Sequence, residues 1–134
     1  MSQAIQEAPL FTITSVATHA MIADRARMAT AFWSRVVGLI RWKDFQAGEA
    51  FMFPGCSSIH TCLMRYPIDV VFMATMPPQT EGVICRLIPA LRPYRLAWAI
   101  QADTTIELPV GTIQRTHLQL GEHVRWTPHP SRAT

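Results

Sequence analysis

Apolar and polar residues alternate over much of this chain, and that spacing predicts strands. Leu10-Phe11-Thr12-Ile13-Thr14-Ser15-Val16 is β-branched and alternating, the pattern of a half-buried strand. Ala50-Phe51-Met52-Phe53 is apolar and stops at the turn pair Pro54-Gly55. Ile68 to Ala74 and Gly82 to Ile88 read as partner strands joined by the loop from Met76 to Gly82. Pro89 and Pro93 predict an irregular stretch after them, and Ala97 to Ile100 fits helix or strand equally. Asp103 to Leu108 is a further strand, followed by Pro109-Val110-Gly111, which suits a type I turn. The last strands flank Gly121 and end at Val124-Arg125-Trp126. One segment, Arg27 to Val37, has helical spacing, with Met28, Phe32 and Arg35 on one face and Val36 following Phe32 at the next turn. Thr30 would cap it and Gly38 would end it. At about three turns it needs tertiary packing to persist.

Several short strands with one short helix predict a mostly β fold, a single compact β-sandwich or distorted barrel. The length of 134 residues fits one domain over 1–134, with a core of about 10–126 and both termini loose.

Composition narrows the function classes. A hydrophobic content of 49% with 16% charged residues supplies a full core and excludes a disordered chain. No apolar run approaches the roughly 18–20 residues that span a bilayer. The segment from Met1 to Pro9 lacks the basic start and apolar stretch of a signal peptide, which makes a cytoplasmic location the expectation. Cys56, Cys62 and Cys85 are an odd number and fit reduced thiols. In one extended strand, Cys56 and Cys62 would stand about 20 Å apart, beyond disulfide reach. The net charge is +3 and Lys43 is the only lysine. The arginines are scattered, except that Arg86, Arg92 and Arg95 cluster near Tyr94 and Trp98. Without a helix-turn-helix, zinc-finger, RNP or KH pattern, no nucleic-acid partner is expected.

The densest chemistry lies between Cys56 and Phe72. If Cys56 to Met64 is extended, Cys56, Ser58, His60, Cys62 and Met64 share one face, and Ser57, Ile59, Thr61 and Leu63 share the other. Arg65 and Asp69 follow around Pro67.

The landmarks resemble those of the DUF192 family, whose members are of uncharacterised function. Arg35-Val36-Val37-Gly38-Leu39-Ile40-Arg41 is similar to its opening Arg-x-x-Gly-Leu-Met, and Phe51-Met52-Phe53-Pro54 to the apolar strand before its central motif. Tyr66-Pro67-Ile68-Asp69-Val70-Val71-Phe72 resembles that central motif. Ile106-Glu107-Leu108-Pro109-Val110-Gly111 resembles its later turn, and Leu120-Gly121-Glu122-His123-Val124 its close. The chain departs where many members carry Trp-Met in place of His60-Thr61, and Asp in place of Glu122. The resemblance implies a jelly-roll-like fold and no particular activity.

Three readings compete for the central residues. Cys56, His60, Cys62 and Met64 are soft donors suited to copper or zinc. Residues two apart on a straight strand sit about 6.5–7 Å apart, so a bend would be needed for one ion, and Cys and Met are also ordinary core residues. His60 with Cys56 or Cys62 would give a thiol-dependent or hydrolase-like enzyme, with Ser58 and Thr61 as further nucleophiles. No nucleophile elbow or protease signature supports it. The preferred reading is a small non-enzymatic binding or accessory domain. In it His60, Arg65, Glu107 and Ser58 line a cleft for a small polar or anionic ligand or a peptide. Asp69 is expected to be structural, buried by hydrogen bonds beside Pro67. Gly38, Gly111 and Gly121 read as turn formers, and without a GxGxxG or P-loop pattern no cofactor is expected. Trp33, Trp42, Trp98 and Trp126 read as core closures, with a ligand platform as the alternative. The apolar neighbours Leu63, Ile84 and Leu87 predict slow reaction at Cys62 and Cys85.

Overall fold

The computed structural model describes residues 9–28, 45–62, 64–78 and 80–129. Among them, in chain order, are β1 Leu10–Ser15, β2 Met21–Met28, β3 Glu49–Pro54, β4 Ser58–His60 and β5 Ile68–Met76. β6 Glu81–Leu91, β7 Leu96–Trp98, β8 Thr104–Pro109, the helix α1 Thr112–Thr116 and β9 His123–Pro128 complete the order. Seven strands close a barrel in the order β1-β2-β3-β8-β5-β6-β9, while β4 and β7 form a separate two-stranded ribbon. The pairing of β2 with β3 is parallel. The neighbouring pairings of β1 with β2 and of β3 with β8 are antiparallel. Of the two architectures the sequence admits, the chain takes the barrel.

Strand alternation explains both layers of the core. On β5, Val71 and Met73 point into the barrel, where they meet Ile13, Ile22, Met52, Ile106, Val124 and Trp126. Its other face carries Ile68, Val70 and Phe72, which pack under Ile59 of β4 and Ala97 of β7. β5 is therefore buried on both faces over Ile68 to Met73, as expected for a strand that reads as an apolar run.

One buried polar group interrupts that run. Asp69 is fully buried. The register of β5 and β6 passes from Val70 opposite Ile88 to Ile68 opposite Leu91, so Pro89 and Ala90 together face Asp69 in a bulge. Pro89 has no N–H to give the ladder, which a bulge tolerates. Ala90, at φ 53°, donates its N–H to Asp69 Oδ1 at 2.9 Å. Oδ2 accepts the N–H of Ile113 in α1, also at 2.9 Å. Ile113 and Leu118 belong to the barrel core, so the carboxylate ties a strand, a bulge and the helix that closes one end of the barrel. The helix is far too short to persist alone. Gly111, at φ 95°, lets the chain turn out of β8 into it.

Several local expectations are corrected. Arg27 and Met28 end strand β2 rather than opening a helix, and the rest of the helix expected over 27–37 lies outside the described residues, as do Thr30, Trp33, Gly38 and Trp42. β2 itself was not foreseen, because Met21-Ile22-Ala23-Asp24-Arg25 does not alternate; pairing with β1 and β3 makes it a strand. β6 continues through Pro89 by means of the bulge. Between Gly111 and Gly121 stands α1 instead of a strand. The expected strand from Cys56 to Met64 shrinks to Ser58–His60.

Replacing Asp69 by Ala leaves two N–H groups without their acceptor and is expected to cost about 3 kcal/mol, with Asp69→Asn losing less because its amide oxygen still accepts. Urea denaturation measures both. Equal midpoints for the parent and Asp69→Ala would show that the carboxylate holds nothing in place.

Candidate functional site

The central segment keeps its alternation although it is not one strand. Ser58, His60 and Cys62 are exposed, while Ile59 and Thr61 are buried. Thr61 ties the end of β4 to the following turn. Its Oγ1 donates to Arg92 O at 2.7 Å and accepts from Arg95 N at 2.8 Å, and its carbonyl accepts Tyr94 N at 3.0 Å. Its hydroxyl is thus committed to structure. Met64 is buried in the cluster beneath the ribbon. Arg65 is exposed.

Glu107 lies elsewhere. It sits on β8 between its partners Phe51 and Val70, only 1% exposed. Directly paired residues share a face, so Glu107 and Val70 both point to the outside of the barrel, and Val70 packs under the ribbon. Ser58 and His60 face solvent from the ribbon's other side. The structure thus brings Ser58 and His60 together on one surface and sets Glu107 apart in the layer below.

Among the described residues no hydrogen bond joins His60 to Cys56 or Cys62. Three His, Cys, Asp or Glu side chains placed to share a metal ion are also absent among them. Of the soft donors Cys56, His60, Cys62 and Met64, His60 and Cys62 face solvent while Met64 is core.

A cleft of about 540 Å³ opens where α1 meets the loop before β5. Tyr66, Pro67, Pro109 and Val110 give it apolar walls, and Thr112 and Arg115 stand at its polar side. Arg115 is exposed in the last turn of α1, and no carboxylate is among the described residues that line the cleft. Thr112 Oγ1 donates to Pro109 O at 2.7 Å, which fixes the turn, and the Arg115 guanidinium is the charged group at the cleft among the described lining residues. The position of this cleft follows from Asp69: the same carboxylate that holds Ile113 holds the helix carrying Arg115. Sequence reasoning singled out Gly111 as a turn former but missed Arg115, since a lone arginine carries no motif.

A second recess, of about 360 Å³, lies against Met28, Met52, Thr75, Asp103 and Trp126. Burial acts to raise the Asp103 carboxyl, but hydrogen bonds from the Thr75 hydroxyl and N–H and from the Thr104 hydroxyl outweigh it and hold it low. Its oxygens are engaged in joining β5 to the start of β8. Trp126, like Met52, is part of the barrel core.

With this geometry in view, the DUF192 profile, described as uncharacterized ACR, matches residues 13–126. The chain belongs to the DUF192 family. No curated protein matches its sequence. In fold it is similar to a candidate transcription regulator from Sinorhizobium meliloti, with a TM-score of 0.70 and 16% identity over 90% of this chain and 92% of that one. It is also similar to a protein of unknown function from Novosphingobium aromaticivorans, with a TM-score of 0.68 and 17% identity over 87% of this chain and 84% of that one. At such identity the likeness shows the fold alone. Two stretches that carry the DUF192 resemblance, Tyr66 to Phe72 and Ile106 to Gly111, meet at Asp69 and the cleft edge. The Arg35 to Arg41 stretch lies outside the described residues.

The three cysteines are free and differ in access. Cys62 is exposed, contrary to the slow reaction expected from Leu63 beside it, because alternation turns its side chain outward from Thr61. Cys85 is half-buried, with Sγ 3.4 Å from Phe72 O. Burial pushes its thiol up, and the nearby Asp103 carboxylate acts in the same direction. Native thiol titration is therefore expected to show Cys62 reacting first and Cys85 last, with Cys85 needing more alkaline conditions to form its thiolate. The fast phase disappears in Cys62→Ser. A fast phase that survives this substitution contradicts the assignment.

Proposed function

We propose that this DUF192 protein is a non-enzymatic binding domain whose cleft beside α1 takes a small anionic ligand or the carboxylate of a peptide. The carrying observation is a cleft of about 540 Å³ with apolar walls, one exposed arginine and no acidic lining residue among those described. A guanidinium offers a fork of donors that matches carboxylate and phosphate, and apolar walls around one charged contact are what small-molecule sites commonly show. The helix that presents Arg115 is anchored by a buried carboxylate, so the cation is placed on a fixed element rather than a loose loop.

This reading moves the anion-binding role from His60, Arg65, Glu107 and Ser58 to Arg115 and the walls at Tyr66 and Val110. It keeps the ligand class. For the soft-metal alternative no group of three metal-ligating side chains is found among the described residues, and the thiol-enzyme alternative has no hydrogen bond from His60 to Cys56 or Cys62 to support it.

Thermal denaturation against a panel of mono- and dicarboxylates, phosphate esters and short peptides tests it. At a hundredfold excess over its dissociation constant, a true ligand stabilises the fold by about 2.7 kcal/mol. The parent should gain with at least one class, and Arg115→Gln should lose that gain while keeping the unliganded midpoint. A panel that leaves the parent unmoved, or a ligand that stabilises Arg115→Gln as well as the parent, refutes the proposal.

A further inference from the structure

The ribbon has its apolar residues the wrong way round for a strand whose only task is to cover a core. Along Tyr94-Arg95-Leu96-Ala97-Trp98-Ala99-Ile100, the small Ala97 faces the barrel and is 3% exposed. The large residues face out: Tyr94 is 73%, Leu96 64%, Trp98 53% and Ile100 91% exposed. The register sets Ser58 opposite Trp98 and His60 opposite Leu96, so the outward face of β4 adds only small or polar groups beside the row. Leu96 and Trp98 share the outward face of β7, while Tyr94 in the bend before it and Ile100 in the turn after it extend the exposed apolar row at its two ends. Scattered exposed apolar residues need no explanation, but four this close together form a patch.

The charge around the row is predominantly positive. Arg65, Arg86, Arg92 and Arg95 are all exposed, and neither 57–68 nor 84–102 contains an acidic residue. Of the carboxylates that border these segments, Asp69 is buried in its two hydrogen bonds, and Asp103, though exposed and charged, has its oxygens engaged by Thr75 and Thr104 and stands against four arginines. Arg86 donates to the carbonyl of Trp98, which places its guanidinium beside the row. A recess of about 300 Å³ lies there, lined by Cys85, Arg86, Trp98 and Ile100 among others. One of the five guanidinium donors is engaged by that carbonyl, leaving the others for an anion.

Two features select the occupant. Ile100 borders the recess beside Arg86, yet exposures of 91% at Ile100 and 73% at Tyr94 mean that most of each side chain projects beyond any groove wall. The partner must therefore surround them. A second copy of the chain would set the same arginines against each other. An anionic lipid surface meets both demands, because its interface envelops aromatic and aliphatic side chains while its headgroups pair with arginine. We propose that the outward face of the β4–β7 ribbon docks on an anionic membrane surface. Trp98, Leu96 and Ile100 enter the interfacial layer, and Arg86 and Arg95 hold phosphate headgroups.

Co-sedimentation with unilamellar vesicles tests this, comparing phosphatidylcholine alone with an equal mixture of phosphatidylcholine and phosphatidylglycerol. The full chain should partition onto the mixed vesicles and only weakly onto the neutral ones, and added salt should weaken the binding. Trp98→Ser with Ile100→Ser should lower partitioning about tenfold. Arg86→Gln with Arg95→Gln should lower it roughly twentyfold and flatten the salt dependence. Ile100→Ser alone, at a fully outward position, serves where the double serine variant is unstable, and should still lower partitioning severalfold. The proposal is overturned if the parent stays in solution with the mixed vesicles, or if the serine variants bind as well as the parent. It is equally overturned if the row instead mediates a dimer that Ile100→Ser dissociates, or if it binds a single-stranded oligonucleotide or an acidic peptide without binding vesicles.

Discussion

The hydrogen bonds of Asp69 are the constraint on which the rest depends. A seven-strand barrel that closes fully needs bulges to bend its strands, and a bulge strands backbone groups that the ladder would have paired. In β6 the bulge contains a proline, which has nothing to donate, and an alanine in the left-handed region, whose N–H points away from the ladder. A carboxylate directly opposite resolves this, because it accepts that N–H with one oxygen and leaves the other for the end of the barrel. Burying such a group without partners would cost several kcal/mol, so its placement is tolerable only where both oxygens are met. Here both are met by backbone, and each bond fixes a different segment. A neutral apolar residue of similar size would leave the bulge and the helix start without an acceptor.

From that anchor the two candidate surfaces follow as separate consequences. One oxygen holds α1, and α1 presents Arg115 over the Tyr66-Pro67 loop. The outer face of the same strand, at Val70 and Phe72, is the floor on which the ribbon rests through Ile59 and Ala97. Because Ala97 is small, the ribbon lies close to the barrel and its larger residues are left outside. The strand that is buried on both faces thus positions a concave site at its start and a projecting one on its flank.

Much of the barrel was legible from alternation, and the parts that were not have identifiable reasons. Ile13 and Phe51 to Phe53, and Thr104 to Leu108, sit in strands whose neighbours repeat the apolar pattern, so local sequence and tertiary pairing agree. β2 was hidden because Asp24 and Arg25 break its pattern, and the parallel partner that stabilises it comes later in the chain. The helix α1 was hidden because five residues carry too little periodicity to read. The alternation of Ser58, His60 and Cys62 against Ile59 and Thr61 was visible, but which face would be outside was not. That depended on the ribbon crossing the barrel through Ala97. Asp69 was legible as a buried acceptor through its place after Pro67, whereas Glu107 gave no indication that it would lie in the barrel layer rather than beside His60.

The barrel also limits where function can reside. Closure pairs each of the seven strands with two neighbours, which leaves little free edge for strand addition apart from the far end of β6, paired with β5 beyond its short register with β9. Its interior is occupied by large side chains, among them Ile13, Met52, Met73, Ile106 and Trp126, which leaves packed core where wider barrels hold ligands. Both proposed surfaces accordingly lie on what is appended to the barrel, namely the turn through Gly111 into α1 and the ribbon of β4 and β7. Such an arrangement is consistent with fold likeness at 16% and 17% identity. Barrel closure demands only apolar alternation and a few bulges, which many sequences satisfy, whereas a guanidinium at position 115 or a row from Tyr94 to Ile100 is free to differ between proteins that close the same barrel. For the two proposed surfaces, the comparison across the fold that bears on ligand and partner is therefore the one made at these appended residues.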